Sequence, residues 1–82
     1  MKIYAICKTL EAGFDGDQKR FNRSGIQIGD KIELEDASVG GWISEIWLVG
    51  HEDPFNSVFF DYVDENGKPY DIYRDKSFSQ YM

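Results

Sequence analysis

Three places in this chain carry side chains of reactive or ligating type, and none has the spacing that a reaction or a metal ion requires. His51-Glu52-Asp53 sets three candidate metal ligands in a row, but consecutive side chains diverge, and with no second His nothing else in the chain completes the site. A solvated loop entering a turn at Asp53-Pro54 accounts for it better. Asp15-Gly16-Asp17 opens like a calcium loop, without the later oxygen ligands or the terminal Glu. Cys7, the sole cysteine, has no base beside it and lies in a strand-like segment, so it is expected to be a buried structural thiol rather than a nucleophile. Neither a Gly-rich phosphate loop nor a Ser-His-Asp pattern occurs. No catalytic, cofactor-binding or metal-binding residue is assigned, and the chain is read as non-enzymatic.

Charge is the more informative property. Between residues 32 and 67 there are nine carboxylates and no Lys or Arg; residues 1–31 hold six basic and four acidic side chains and residues 68–82 three and two, so the whole net charge of −6 arises in the centre. Trp42, Trp47, Phe55, Phe59, Phe60 and Tyr62 share that stretch, and acid mixed with large rings folds or binds rather than staying solvated as a disordered tail. Lys19-Arg20-Phe21-Asn22-Arg23 is the basic cluster. Three cations in a chain of pI near 4.5 argue against direct nucleic-acid binding, which needs a domain-scale basic surface. The cluster is expected in a solvated loop, its cations paired with Asp15 and Asp17.

The acidic-aromatic block admits three readings. In the plainest, its carboxylates are the outward positions of strands and serve solubility. In the second they form a negative surface for a basic protein partner, built from Glu33, Glu35, Asp36, Glu45, Glu52, Asp53, Asp61 and Asp71, with Trp47, Phe55 and Phe59 as apolar anchors and Tyr73 beside them; charge steers and rings hold. In the third, Trp42, Trp47, Phe59 and Tyr73 box a methylated Lys or Arg, as in the aromatic cages of Tudor-type small barrels.

Eighty-two residues make one domain, residues 1–82, that buries roughly 60% of the unfolded chain's surface. Aromatics at 16% supply large buried areas. A lone cysteine cannot form an internal disulfide, which favours a reducing cytoplasm. The apolar run at the start breaks at Lys8 and Thr9, too short for a secretory signal, and no uninterrupted apolar run, residues 46–49 included, is long enough to span a membrane.

Residues 2–10 predict a first strand with Ile3, Ala5 and Cys7 inward and Lys2 and Lys8 outward. Residues 11–29, with four glycines, read as a long loop in which Asp17 caps one helical turn through Phe21, closed by Gly25. Residues 31–35 alternate cleanly, with Ile32 and Leu34 inward. Residues 42–49 also fit a helical face, but their length and glycine flanks favour a strand with an irregularity at Ser44-Glu45. Residues 57–75 predict a hairpin. A three-residue turn with Gly67 left-handed pairs Tyr62 with Tyr70 and Phe60 with Ile72, gathers Val58, Phe60, Tyr62, Tyr70 and Ile72 on one face, and sets Asp61 opposite Asp71. Residues 77–80 have helix-cap spacing, so a final turn tucks Phe78 or Tyr81 under the sheet.

The resulting fold class is mainly β: five short antiparallel strands, a long first loop, residues 28–34 as a turn entering a strand, and a short C-terminal helical turn. Over residues 28–75 this order resembles a small SH3-like barrel; the tyrosine groove and proline segment of peptide-binding SH3 domains have no counterpart, so the resemblance implies fold and not polyproline binding. In size and charge balance the chain is also similar to small acidic inhibitors, such as toxin-immunity proteins and phage-encoded proteins that block or mimic nucleic acid. The function expected is a cytoplasmic, non-enzymatic module binding a basic partner, with a homo-oligomeric assembly subunit as the competing class.

Overall fold

The computed structural model describes residues 2–11, 15–40, 44–75 and 78. β1 (Ile3–Cys7) buries Ile3, Ala5 and Cys7 and leaves Tyr4 and Ile6 half-buried on the other face, the alternation its sequence predicts, although it ends at Cys7 rather than at residue 10. β2 (Lys31–Ser38) is longer than expected because it serves two neighbours. Lys31, Ile32 and Glu33 pair with β1, and Leu34 to Ser38 pair with β3 (Glu45–Leu48) across a bulge between Leu34 and Asp36. The bulge puts Glu35 and Asp36 both outward and returns Ala37 to the core, and the extra residue bends the strand.

β4 (Phe55–Asn56) joins β3, and β5 (Phe60–Asp64) joins β1, so the order is β4-β3-β2-β1-β5, all antiparallel. Laid flat, the two edge strands would stand four spacings apart, about 19 Å. A single 3-10 turn, Ser57–Phe59, connects them, and three residues reach at most about 10 Å. The sheet therefore curls into a half-barrel. Five strands is the expected number, but the fifth is β4 and not the return arm of the hairpin.

The long loop expected over residues 11–29 is corrected by a ten-residue helix, α1 (Asp15–Ser24), which starts two residues before the predicted cap. Gly25, at φ +78°, ends it as anticipated; the left-handed conformation suits glycine at a helix C-terminus. Phe21 docks the helix into the core. Phe21 stacks on Phe59 with centroids 4.2 Å apart and meets Phe55 and Phe60 edge-on at 6.0 Å. These four rings close the open side of the half-barrel over Ala5, Cys7, Ile46, Leu48, Tyr62 and Ile72.

Candidate functional site

The C-terminal hairpin builds an open concavity. Its turn has the predicted register: Asp64 Oδ1 accepts from the N–H groups of Asn66 at 2.8 Å and Lys68 at 3.0 Å, and Gly67 sits at φ +82°. Val63 then bridges Pro69, and the Tyr70 N–H donates to the Tyr62 carbonyl at 2.9 Å. Here the expected second strand stops. The Asp71 carboxylate accepts from the Tyr73 N–H at 3.0 Å, capping a 3-10 turn, Ile72–Arg74, that takes the chain out of the extended conformation. The arm peels from the sheet as it reaches Asp71.

Between this arm and the outer face of β1 and β5 lies an open groove of about 750 Å³. Ile6, Val63, Pro69 and Tyr70 supply apolar wall; Lys8, Asp61, Asp71 and Tyr73 supply the polar rim. Tyr73 is 49% exposed, yet its hydroxyl donates to Ser57 Oγ at 2.8 Å, while Tyr62 donates to the Ser57 carbonyl at 2.8 Å. Ser57 is itself buried, so one fixed residue orients both tyrosines. Burial, with smaller effects from Tyr73 and Asp61, pushes the Tyr62 phenol far up. Tyr70 hydrogen-bonds the Asp75 carboxylate, which favours its protonated form and raises its pKa. Burial likewise raises the Cys7 thiol, against a lowering backbone hydrogen bond at Thr9, and Cys7 is buried in the core as expected.

The structure sorts the residues nominated from sequence. Asp61, Asp71 and Tyr73 converge on the groove. Glu33 pairs with Lys2 at 3.6 Å and stands across from Tyr4, which stands across from Val63, so it adjoins the groove without lining it. Glu35 and Asp36 flank the bulge opposite half-buried Trp47 and make no ion pair with any described residue. Glu45 pairs with Arg20 at 3.7 Å. Phe55 and Phe59 are 3% and 0% exposed: the expectation that they act as surface anchors is corrected, because a phenyl ring has no polar group to keep it at the surface. The aromatic cage does not assemble as proposed, with Phe59 internal and Trp47 on β3, separated from β5 by β2 and β1; Trp42 lies outside the described residues, as do Tyr81 and the helical turn expected over residues 77–80. Phe78 packs against the core as foreseen, whereas Val58, placed on the hairpin's inner face, is 43% exposed in the 3-10 turn before β5.

A smaller, polar cleft of about 380 Å³ joins two motifs far apart in sequence, Arg20 and Arg23 of α1 and the loop His51-Glu52-Asp53. Arg20 donates to the Pro54 carbonyl at 2.9 Å, and the His51 ring meets Phe55 edge-on at 5.6 Å. Asp15 and Asp17 fall in the first turn of α1. Among the described residues no three His, Cys, Asp or Glu side chains are grouped to hold a metal, and no helix is long and apolar enough to cross a membrane.

Sequence reasoning missed Ile6, Lys8, Val63 and Pro69 as groove residues. The hairpin register implied the Val63–Pro69 rung, but only the pairing of β1 with β5 brings Ile6 opposite Asp61. Fold and site together define a small β half-barrel with a carboxylate-rimmed tyrosine groove on its outer face. Residues 2–82 match the family described as Bacteriophage T4 protein Y07B, and the chain belongs to that family of phage-type small proteins. No curated protein and no solved structure matches it.

Proposed function

We propose that this phage accessory protein is a non-enzymatic module, working in the cytoplasm, that binds a basic-surfaced protein through the groove between β5 and the C-terminal arm. The observation carrying this reading is the convergence of Asp61, Asp71 and the half-exposed Tyr73 on one concave surface with an apolar wall. Rings held by hydrogen bonds before binding lose little freedom on contact, and carboxylates on the rim steer a cationic partner. Assembly of copies through sheet edges has less to build on: β4 is two residues long, and β5 is covered by Pro69 and Tyr70.

The test is a pull-down from an infected-cell lysate at low and high salt, with the wild-type protein and with Asp61→Lys/Asp71→Lys. A partner held by the wild type at low salt, released at high salt and not held by the double variant supports the reading. Capture indifferent to both salt and charge reversal overturns it. Light scattering on the purified protein should give a monomer; a symmetric oligomer independent of concentration would instead favour an assembly subunit.

A further inference from the structure

The groove's carboxylates are each held by a cation of the chain itself. Lys8 Nζ lies 3.3 Å from Asp61 Oδ1, and Arg74 Nε lies 3.4 Å from Asp71 Oδ2. We propose that the groove selects an arginine-bearing segment over a lysine-bearing one, and that Lys8 occupies Asp61 in the free protein as an internal counter-ion which the incoming guanidinium displaces. This rests on the partner-binding reading above and names the chemistry of the partner.

Two features of the groove favour a guanidinium, and a third suits any long cationic side chain. The Tyr73 ring is half-exposed and tied at its hydroxyl to Ser57, so it presents a fixed π face on which a flat cation stacks. Asp61 and Asp71 each lie two residues from the Val63–Pro69 bridge, on the two arms of the hairpin, and both line the groove. A guanidinium with donors along its edges serves two such acceptors while its face rests on a ring; an ammonium is a point charge and does one or the other. Ile6, Val63 and Pro69 line the same groove and suit the aliphatic stem of a long cationic side chain.

The internal pairs are weak enough to yield. The Lys8 and Asp61 side chains are 48% and 68% exposed and the Arg74 side chain 89%, the regime in which water and salt leave an ion pair little net energy. The lining itself holds two carboxylates, Asp61 and Asp71, against Lys8, and the second carboxylate is offset by Arg74 from outside the lining.

Calorimetric titration with hexa-arginine and hexa-lysine peptides, equal in formal charge, tests the inference. The wild type should bind hexa-arginine about two- to fivefold more tightly, the scale of an exposed cation–π contact. Lys8→Met should tighten both peptides by about two- to fivefold, the scale of an exposed ion pair, and by more than Lys2→Met, which removes the same charge from the more distant Glu33 pair. Lys8→Arg, a stronger internal counter-ion, should weaken both. Tyr73→Leu should abolish the arginine preference while leaving hexa-lysine binding measurable. Equal affinity for the two peptides overturns the arginine selection, and unchanged or weaker binding by Lys8→Met overturns the role of Lys8, in either case with the partner reading intact. Binding that Asp61→Lys/Asp71→Lys leaves undiminished, or no binding of either peptide, removes the partner reading itself.

Discussion

The phenylalanine cluster under α1 and the tyrosine groove outside β5 are made from the same kind of ring drawn largely from the same acidic stretch of chain, yet one is sealed and the other open. Phe21, Phe55, Phe59 and Phe60 have nothing polar to satisfy and pack against one another, one pair stacked and the others edge-on or tilted. Tyr62, Tyr70 and Tyr73 each carry a hydroxyl that must find an acceptor, and they find Ser57 and Asp75 at the margin of the same core. The hydroxyl is the sorting device: it holds a ring where one side is buried and the other can meet a partner. Proximity to acid, which nominated Phe55 and Phe59 as surface anchors, does not sort rings; polarity does.

Changes to the sealed side should be felt in folding. Phe59→Ala is expected to cost about 3–5 kcal/mol by urea denaturation, a large part of the stability of a domain this small; a loss under about 1 kcal/mol would mean the cluster is not the core. Tyr62→Phe tests the boundary, because it removes one of two donors to the Ser57 carbonyl, which keeps the Phe60 N–H, and should cost about 0.5–1.5 kcal/mol, the net worth of one hydrogen bond. Gly67→Ala, at φ +82°, should cost about 1–2 kcal/mol through left-handed backbone strain and loosen the groove with it. Tyr73→Ala should behave in the opposite way, changing stability by less than about 1 kcal/mol while abolishing partner capture; equal losses in folding and capture would erase the distinction between the two regions.

The smallest effect should appear only in alkali. Tyr62 and Tyr70 have folded pKa values raised above the ordinary 10.0, and Cys7 above 9.0. A raised acid keeps its proton in the folded state after the unfolded chain has released it. Their contributions are therefore complete below those ordinary values and are lost as pH rises through and beyond them. Thermal melts should show stability falling as pH climbs past 10, less steeply in Tyr62→Phe. A melting temperature that rises there would contradict the burial of Tyr62.

The acid block teaches a related lesson. Lys2, Lys8 and Arg20 come from the basic N-terminal third, yet in the fold they sit on Glu33, Asp61 and Glu45, so part of the negative stretch is neutralised by cations brought from β1's flanks and α1. What stays without an in-chain cation among the described residues includes Glu35 and Asp36, beside Trp47. Counting charge along the chain could not separate these groups, because strand pairing and not sequence distance chooses their neighbours.

The sequence by itself determined the inward residues of β1 and the first half of β2, and the hairpin register down to Tyr62 opposite Tyr70, because two-residue periodicity and a glycine turn are written within a few neighbouring positions. It did not disclose α1, whose single buried ring, Phe21, leaves no helical period to read. Only the tertiary structure decided that a two-residue β4 completes the sheet and that Phe55 and Phe59 turn inward. It also decided that Ile6, Asp61 and Tyr73 share one groove, since those placements depend on pairings between segments more than fifty residues apart, and on the curl forced when three residues join opposite edges of a sheet.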